Sequence, residues 1–305
     1  MGDKKKIQKY VFVGDCNSIN LEIIYKSFLY LKNKLEYILI GDIKDLKNYL
    51  KSINSQIKIN EINNPLNFQE YNKNCFNLFD VKKRNKKKYE NLLDQIKISN
   101  FLANKTQNDL ITMPINKSLF KKEFKFIGMT EYLAKINKSN SIMLMLGDRF
   151  SVIPFTTHIN PKNISKKINS NSLTNFLNLI INNLNKKKYR LNFKDLVFIC
   201  YNPHCGENGT IGNEDHIISN ILKKFTKIQG PYPADSSFNN IKNNTLYITT
   251  YHDQGLIPFK SLNKRGLNLT LGLNYRRLSP AHGTAIDKKN KNLANTESYI
   301  QCMLI

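Results

Sequence analysis

The sequence has no apolar stretch approaching the roughly 20 residues that a membrane-spanning helix needs, so nothing in it predicts a bilayer protein. Its opening, MGDKKKIQKYVFVGD, is basic, but the apolar part is short and no small-residue cleavage site follows, so it is not read as a signal peptide. Lys6 stands where N-myristoylation requires Ser or Thr. Cysteine is scarce: Cys16, Cys75, Cys200, Cys205 and Cys302 are odd in number and include no CxxC pair. In a chain this long that pattern points to reduced thiols and a cytoplasmic location. No GxGxxG follows the first apolar run, so an ordinary Rossmann cofactor site is not supported. There is no internal repeat, and the pattern of short apolar runs alternating with amphipathic segments has to be read as it stands.

What is abundant is lysine. The formal net charge is +24 over 305 residues, a balance that invites a nucleic-acid reading. The charge is spread along the whole chain beside abundant Asn and Ile, as drift toward A/T-rich codons would spread it. No recognition helix, RNP motif, zinc finger or basic stripe with interleaved aromatics is present. No specific nucleic-acid partner is therefore expected, only nonspecific polyanion attraction at low salt. The run KKRNKKK at Lys82–Lys88 reads as a solvated loop or helix entry. With 41% hydrophobic and 10% aromatic residues, the chain has enough apolar mass for a globular protein of two domains or lobes.

The periodicity is α/β throughout. KYVFVGD reads as a strand and turn, NLEIIYKSFLYLKN as an amphipathic helix and LEYILIGD as a second strand, which makes a βαβ opening. NLLDQIKISNFLAN has helical spacing, and DLITMPINK returns to a strand that ends in a loop. GNEDHIISNILKKF is a helix whose first-turn acids suit the macrodipole; His216 lies on it and reads as structural or surface. The expected sheet is mostly parallel.

Three of the five histidines sit where an apolar run breaks into a polar loop. His158 ends SVIPFTTHINP, His204 follows LVFICYNP and precedes CGENG, and His252 follows TLYITTY and opens HDQG. In open α/β sheets, residues just past the carboxyl ends of strands line the ligand crevice. Three neutral imidazoles there could hold a metal ion and leave one coordination position for substrate. Any one of them alone would read as a strand cap. All three together, each beside Asn, Glu, Asp or Gln, favour the metal.

These segments carry a resemblance. TMPINK at Thr112–Lys117, GMTEYLA at Gly128–Ala134, TTHINP at Thr156–Pro161 and NPHCGENGTIGNED at Asn202–Asp215 share one order and approximate spacing with a known family. So do GPYPADSSF at Gly230–Phe238, YHDQGLIPFK at Tyr251–Lys260 and NLTLGLNYRRLSPAHGTAID at Asn268–Asp287. The chain resembles the 4-hydroxythreonine-4-phosphate dehydrogenases of pyridoxal phosphate biosynthesis over nearly its whole length. The resemblance implies NAD(P)-dependent oxidation of 4-phosphooxy-L-threonine, followed by decarboxylation to 3-amino-2-oxopropyl phosphate. It implies two α/β/α lobes with a cleft between them, as in isocitrate and isopropylmalate dehydrogenases. The lobes would comprise residues 1–125 with 280–305, and residues 126–279 carrying the metal histidines and dimer contacts. It also implies a homodimer whose divalent ion (zinc, magnesium or cobalt) is held by His158, His204 and His252, one of the three supplied by the partner subunit and taken to be His252.

Further residues follow from the same motifs. Thr130, Lys260, Asn268 and Arg277 match substrate-binding positions, with Arg277 preferred to Arg276 on the alignment of LSPAHGTA. Arg grips phosphate through paired hydrogen bonds, whereas Lys acts as a point charge. Lys117 and Asp253 are the catalytic candidates, with Asn116 beside the first. His282, Gly283, Thr284 and Asp287 of HGTAID would hold the dinucleotide, and Asp235 is a further polar candidate. The chain departs from the family pattern in four places. Ser18 and Asn20 replace glycines of the first turn, where Ser18 is expected to cause strain if those glycines need positive φ, with Asn20 better tolerated. Met129 replaces a substrate-contacting His, Leu278 and Ala281 replace Thr and Asp, and the segment after HGTAID is eroded and the last helix shortened. These departures keep two other readings open: a sister dehydrogenase of another phosphorylated hydroxy acid, and a degenerate homologue of low activity.

Overall fold

The computed structural model describes residues 7–81, 87–120 and 128–305. The MGDKKK opening and Lys82–Lys86 of the lysine-rich run lie outside the described residues, as does the expected lobe boundary at 125/126. The chain divides into two compact units, Met1–Leu133 with Leu273–Ile305, and Ala134–Gly272. The exchange points thus fall at 133/134 and 272/273, where the sequence reading had 125/126 and 279/280.

The first unit begins with β1 (Gln8–Phe12), α1 (Asn20–Leu31) and β2 (Glu36–Gly41), the βαβ opening expected from the alternation of apolar runs. It continues through α2 (Ile43–Ser52), β3 (Ile59–Glu61), β4 (Phe76–Asp80), α3 (Lys88–Thr106) and β5 (Asp109–Thr112) to α4 (Met129–Ile136). The second unit contains β6 (Ile142–Gly147), β7 (Phe150–Thr156), α5 (Ile164–Lys167), α6 (Ser170–Leu184), β8 (Asp195–Ile199) and α7 (Glu214–Leu222). β9 (Ile228–Tyr232), α8 (Ala234–Ser237), β10 (Thr245–Tyr251), α9 (His252–Leu262) and β11 (Gly266–Leu271) complete it. The chain then returns to the first unit with β12 (Arg277–Pro280) and α10 (Glu297–Leu304).

The six strands of the first unit run in the order β3-β4-β2-β1-β5-β12, every pairing parallel. Their apolar runs are buried on both faces, as parallel strands covered by helices must be; Tyr10, Val11 and Phe12 of β1 have no exposed surface. The second unit's strands run β11-β6-β7-β10-β8-β9. β11, β6 and β7 are joined antiparallel, and β7, β10, β8 and β9 are parallel. The parallel set matters most for function, because β7, β10 and β8 are neighbours and each leads into one of the three histidine segments.

One lysine breaks the rule that lysine here is solvated. Lys9 on β1 has no exposed surface. Its ammonium lies 3.1 Å from Asp109 Oδ2 and donates to the carbonyls of Cys302 and Ile305. Arg276 grips the same carboxylate with two bonds, Nε to Oδ1 at 2.8 Å and an Nη to Oδ2 at 2.6 Å. Burial pulls the Lys9 ammonium below its usual range, and Asp109 opposes that pull. This cluster ties β1, β5, β12 and α10 together, so Arg276 is a structural cation.

Candidate active site

His158 lies two residues beyond β7 and is exposed. His252 is the first residue of α9 and directly follows β10. The sequence reading put His252 in a loop; the helix begins instead at that residue, with Asp253 in its first turn where a carboxylate suits the dipole. The rings of His158 and His252 are 5.7 Å apart, centre to centre. His252 Nδ1 is 2.7 Å from Asp253 Oδ1. A carboxylate on one ring nitrogen fixes the tautomer and presents the other as a ligand.

His204 follows β8 on a loop of unusual backbone. His204, Cys205, Gly206, Glu207 and Asn208 all have positive φ, between 43° and 80°. Non-glycine residues enter this region at a cost of roughly 1–2 kcal/mol each, so the turn must be held from outside. Asp215, buried at the start of α7, holds it: Oδ1 accepts the Tyr201 N–H at 2.6 Å, and Oδ2 accepts the Asn202 N–H and side-chain amide at 2.9 and 3.0 Å. Gly206 also packs where a Cβ would come within 2.6 Å of the Gly212 carbonyl. Gln254 links the neighbouring strand ends. Its Oε1 accepts from the Thr250 N–H at 2.8 Å, and its Nε2 donates to the Cys200 carbonyl at 2.7 Å. Gly255 then lets α9 lie on the sheet, since a Cβ there would be 2.4 Å from Val152. Among the described residues, no group of three or more His, Cys, Asp or Glu side chains is arranged to hold a metal. The structure therefore brings His158 and His252 together and leaves His204 outside that pair.

Of the other second-unit candidates, Lys260 is exposed in the last turn of α9, and Asn268 is half-buried on β11. Asn268 Oδ1 is a buried acceptor with no partner among the described residues. Asp235 is exposed at the start of α8, its Oδ1 accepting the Ser236 N–H.

In the first unit, Arg277 opens β12 and is 3% exposed. Its Nε donates to Thr112 Oγ1 at 2.8 Å and an Nη donates to Thr130 Oγ1 at 3.2 Å. Burial lowers the guanidinium to about 10, so it stays cationic at neutral pH. Thr130 and Arg277, proposed separately from sequence, are thus in direct contact. Lys117 is exposed on a short helical turn after β5, next to Asn116, whose side chain accepts from Ser118. The HGTAID segment follows β12. His282 Nδ1 lies 2.8 Å from the Gly283 carbonyl, so that nitrogen carries the proton and Nε2 is a buried acceptor with no partner among the described residues. Burial lowers the His282 imidazole below its usual range. A Cβ built on Gly283 would meet nothing within 4 Å, and Asp287 is exposed.

The sequence model of the pyridoxal phosphate biosynthetic protein PdxA matches residues 33–305. The chain belongs to the PdxA family. It is 30% identical over 308 residues to a 4-hydroxythreonine-4-phosphate dehydrogenase from Sulfurihydrogenibium sp. (strain YO3AOP1), covering 96% of this chain and 95% of that one. It is 32% identical over 310 residues to the enzyme of the same name from Campylobacter fetus, with the same coverage. A crystal structure of 4-hydroxythreonine-4-phosphate dehydrogenase from Klebsiella pneumoniae shares its fold, with a TM-score of 0.79 and 24% identity over 99% of this chain and 98% of that one. The α/β class expected from sequence is thereby borne out.

Against the PdxA pattern, the first turn corrects one expectation. Ser18 was expected to strain it if the replaced glycines needed positive φ, with Asn20 better tolerated there, but neither has positive φ; Gly14 does, at 76°. Ser18 Oγ donates to the Asp15 carbonyl, and Asn20 Nδ2 donates to the carbonyls of Val13, Asp15 and Pro114. Both side chains are buried. The turn is stitched by these donors. Asp215 and Gln254, which fix the histidine segments, carried no distinct sequence signal: one reads as a helix-start acid, the other as a polar neighbour of His252.

Proposed function

We propose that this protein is a metal-dependent NAD(P) dehydrogenase that oxidises 4-phosphooxy-L-threonine to 2-amino-3-oxo-4-phosphooxybutanoate, which loses carbon dioxide to give 3-amino-2-oxopropyl phosphate. Membership of the PdxA family, with relatives bearing that enzyme's name over 96% of the chain, is the observation that carries the reading.

The donor chemistry fits a divalent ion at the paired imidazoles. The 5.7 Å between the ring centres of His158 and His252 would let both imidazoles hold one divalent ion. His204 is the third proposed donor. The donor supplied by a partner subunit is proposed to be His252, as the family resemblance implies, with His204 the alternative because His158 and His252 lie close together within one chain. Ile159, Ile211 and Ile257, close in sequence to the three histidines, are 37%, 47% and 65% exposed, which suits burial against a second copy. When bound, such an ion acts as a Lewis acid on substrate oxygens. Zinc, magnesium and cobalt are the candidates.

The protein's own groups supply the rest. Lys260 offers a point charge to the substrate's phosphate or carboxylate, and Asn268 offers the buried amide oxygen that lacks a partner among the described residues. Arg277 and Thr130, joined by a 3.2 Å hydrogen bond, are proposed to bind the substrate together. Lys117 and Asp253 are proposed to move protons, Asp253 also by setting the His252 tautomer. His282, Gly283, Thr284 and Asp287 are proposed to hold NAD or NADP. The bare Nε2 of His282 and the open space beside Gly283 suit a ligand there. The deciding assay is NAD(P)H formation with 4-phosphooxy-L-threonine, with and without added divalent metal. Metal-dependent turnover is expected; no turnover with either cofactor under any metal overturns the reading.

A further inference from the structure

The first unit contains a cavity of ≈ 610 Å³ bounded by the turn after β1, by α2, by the start of α3 and by Lys289 and Asn290. That volume lies within the roughly 300–1,000 Å³ usual for small-molecule sites. Two of its walls are amides. Asn91 and Gln95 stand one turn apart on α3, each 5% exposed, and both line the cavity. Ser99 donates to the Gln95 backbone carbonyl, but neither side-chain amide has a partner among the described residues. Both amides are therefore free to hydrogen-bond something that enters the cavity.

The remaining lining narrows what that is. Tyr49, half-buried on α2, supplies an aromatic ring, and Leu21 and Leu92 supply apolar walls. Lys88 and Lys289 stand at the same cavity, anchored to the first turn: Lys88 Nζ is 2.8 Å from Asp15 Oδ1, and Lys289 Nζ donates to Asn17 Oδ1 at 2.7 Å. The Ile19 N–H of that turn donates to the Thr284 carbonyl, which places the cavity beside the HGTAID segment within one unit. A carboxamide carries a donor and an acceptor side by side, the complement of adenine's N6–H/N7 edge. A ring face suits a base, and lysines suit phosphate. A small phosphorylated hydroxy acid would use the lysines but would leave both amides and the ring idle.

We infer that this cavity receives the adenosine half of the dinucleotide, with Asn91 and Gln95 reading the adenine edge and Tyr49 covering the base. This rests on the dehydrogenase reading for the identity of the whole ligand, and it names the residues that recognise it. Calorimetric titration of the full chain with AMP, IMP, nicotinamide mononucleotide and NAD tests it. AMP should bind at least tenfold more tightly than IMP, which presents a carbonyl where adenine has an amine. Asn91→Leu and Gln95→Leu should each weaken AMP and NAD about tenfold and leave nicotinamide mononucleotide unchanged. The AMP/IMP comparison on the unaltered protein stands even if a variant fails to fold. Equal binding of AMP and IMP, or NAD binding untouched in both folded variants, overturns the adenosine assignment while leaving the cofactor reading intact. AMP selectivity that is lost in the variants, in a protein that reduces neither NAD nor NADP, upholds the adenine site and sinks the cofactor reading instead.

Discussion

His158 and His252 sit at the carboxyl ends of two parallel strands, β7 and β10, that are hydrogen-bonded neighbours, and their rings are 5.7 Å apart. Two imidazoles hold a divalent ion far less well than three. Replacing any of His158, His204 or His252 with Ala should remove most metal from protein purified without chelator, measured by elemental analysis. A variant that keeps full occupancy and full rate is not a ligand variant.

The pairing also predicts which mixed dimers work. If His158 and His252 act within one chain and His204 comes from the partner, mixing inactive His158→Ala with inactive His204→Ala restores one complete site per mixed dimer. Mixing His158→Ala with His252→Ala then restores none. If His252 comes from the partner, the second mixture recovers activity and the first does not. Recovery in neither, with subunit exchange confirmed, places each site within a single chain.

Met129 opens α4 beside Thr130, the hydroxyl bonded to Arg277. A histidine at Met129 could donate to an anionic substrate, and a hydrogen bond to a charged partner contributes about 1.5–3 kcal/mol, roughly one to two powers of ten in affinity. Met129→His is expected to lower KM for 4-phosphooxy-L-threonine. An unchanged or higher KM, in a natural protein that already turns over efficiently, would show that the pocket is not weakened.

His282 gives a pH signature. Burial holds its folded-state pKa below the ordinary value of 6.5, so the unfolded chain takes up the proton first as pH falls. Its contribution to stability is present above about 6.5 and is lost as pH drops through that value toward the folded pKa. Denaturant unfolding at pH 7.5 and 5.5 should show a smaller acid-induced loss in His282→Asn than in the natural protein. Equal losses would mean that the imidazole is not buried in its neutral form.

Asp109 neutralises two cations, of which Lys9 has no exposed surface. Removing one partner of a buried ion pair leaves an uncompensated charge, at about 3–5 kcal/mol. Asp109→Ala should lower unfolding free energy by that order. A loss below about 1 kcal/mol would mean that the cluster is solvated.

Much of this architecture was legible in the sequence because its signals are local. The βαβ opening, α3, β5, α7 and the strand before each histidine follow from apolar periodicity, and His216 is exposed on α7 as read. His252 was misplaced because HDQG has the polarity of a loop, while the helix it opens is defined by packing: Gly255 against Val152, and Gln254 reaching back to β10 and across to β8. The burial of Lys9 could not be read from a lysine-rich strand edge, since its partners Asp109 and Cys302 are far away in sequence. The amides of Asn91 and Gln95 look like any polar pair on a helix until the cavity beside them is known.

The stitched first turn sets a limit on how this chain can change. Asn20 Nδ2 holds three carbonyls and lies where a Cβ on Gly14 would meet it at 2.7 Å. Asn20→Gly would strip those carbonyls of their donor while the rest of the turn stayed fitted to asparagine. The two versions of the turn, with asparagine and with glycine, are therefore separate solutions, exchangeable as a block and not one residue at a time. Chimeras that swap the whole segment between Gly14 and Leu21 should fold where single substitutions falter.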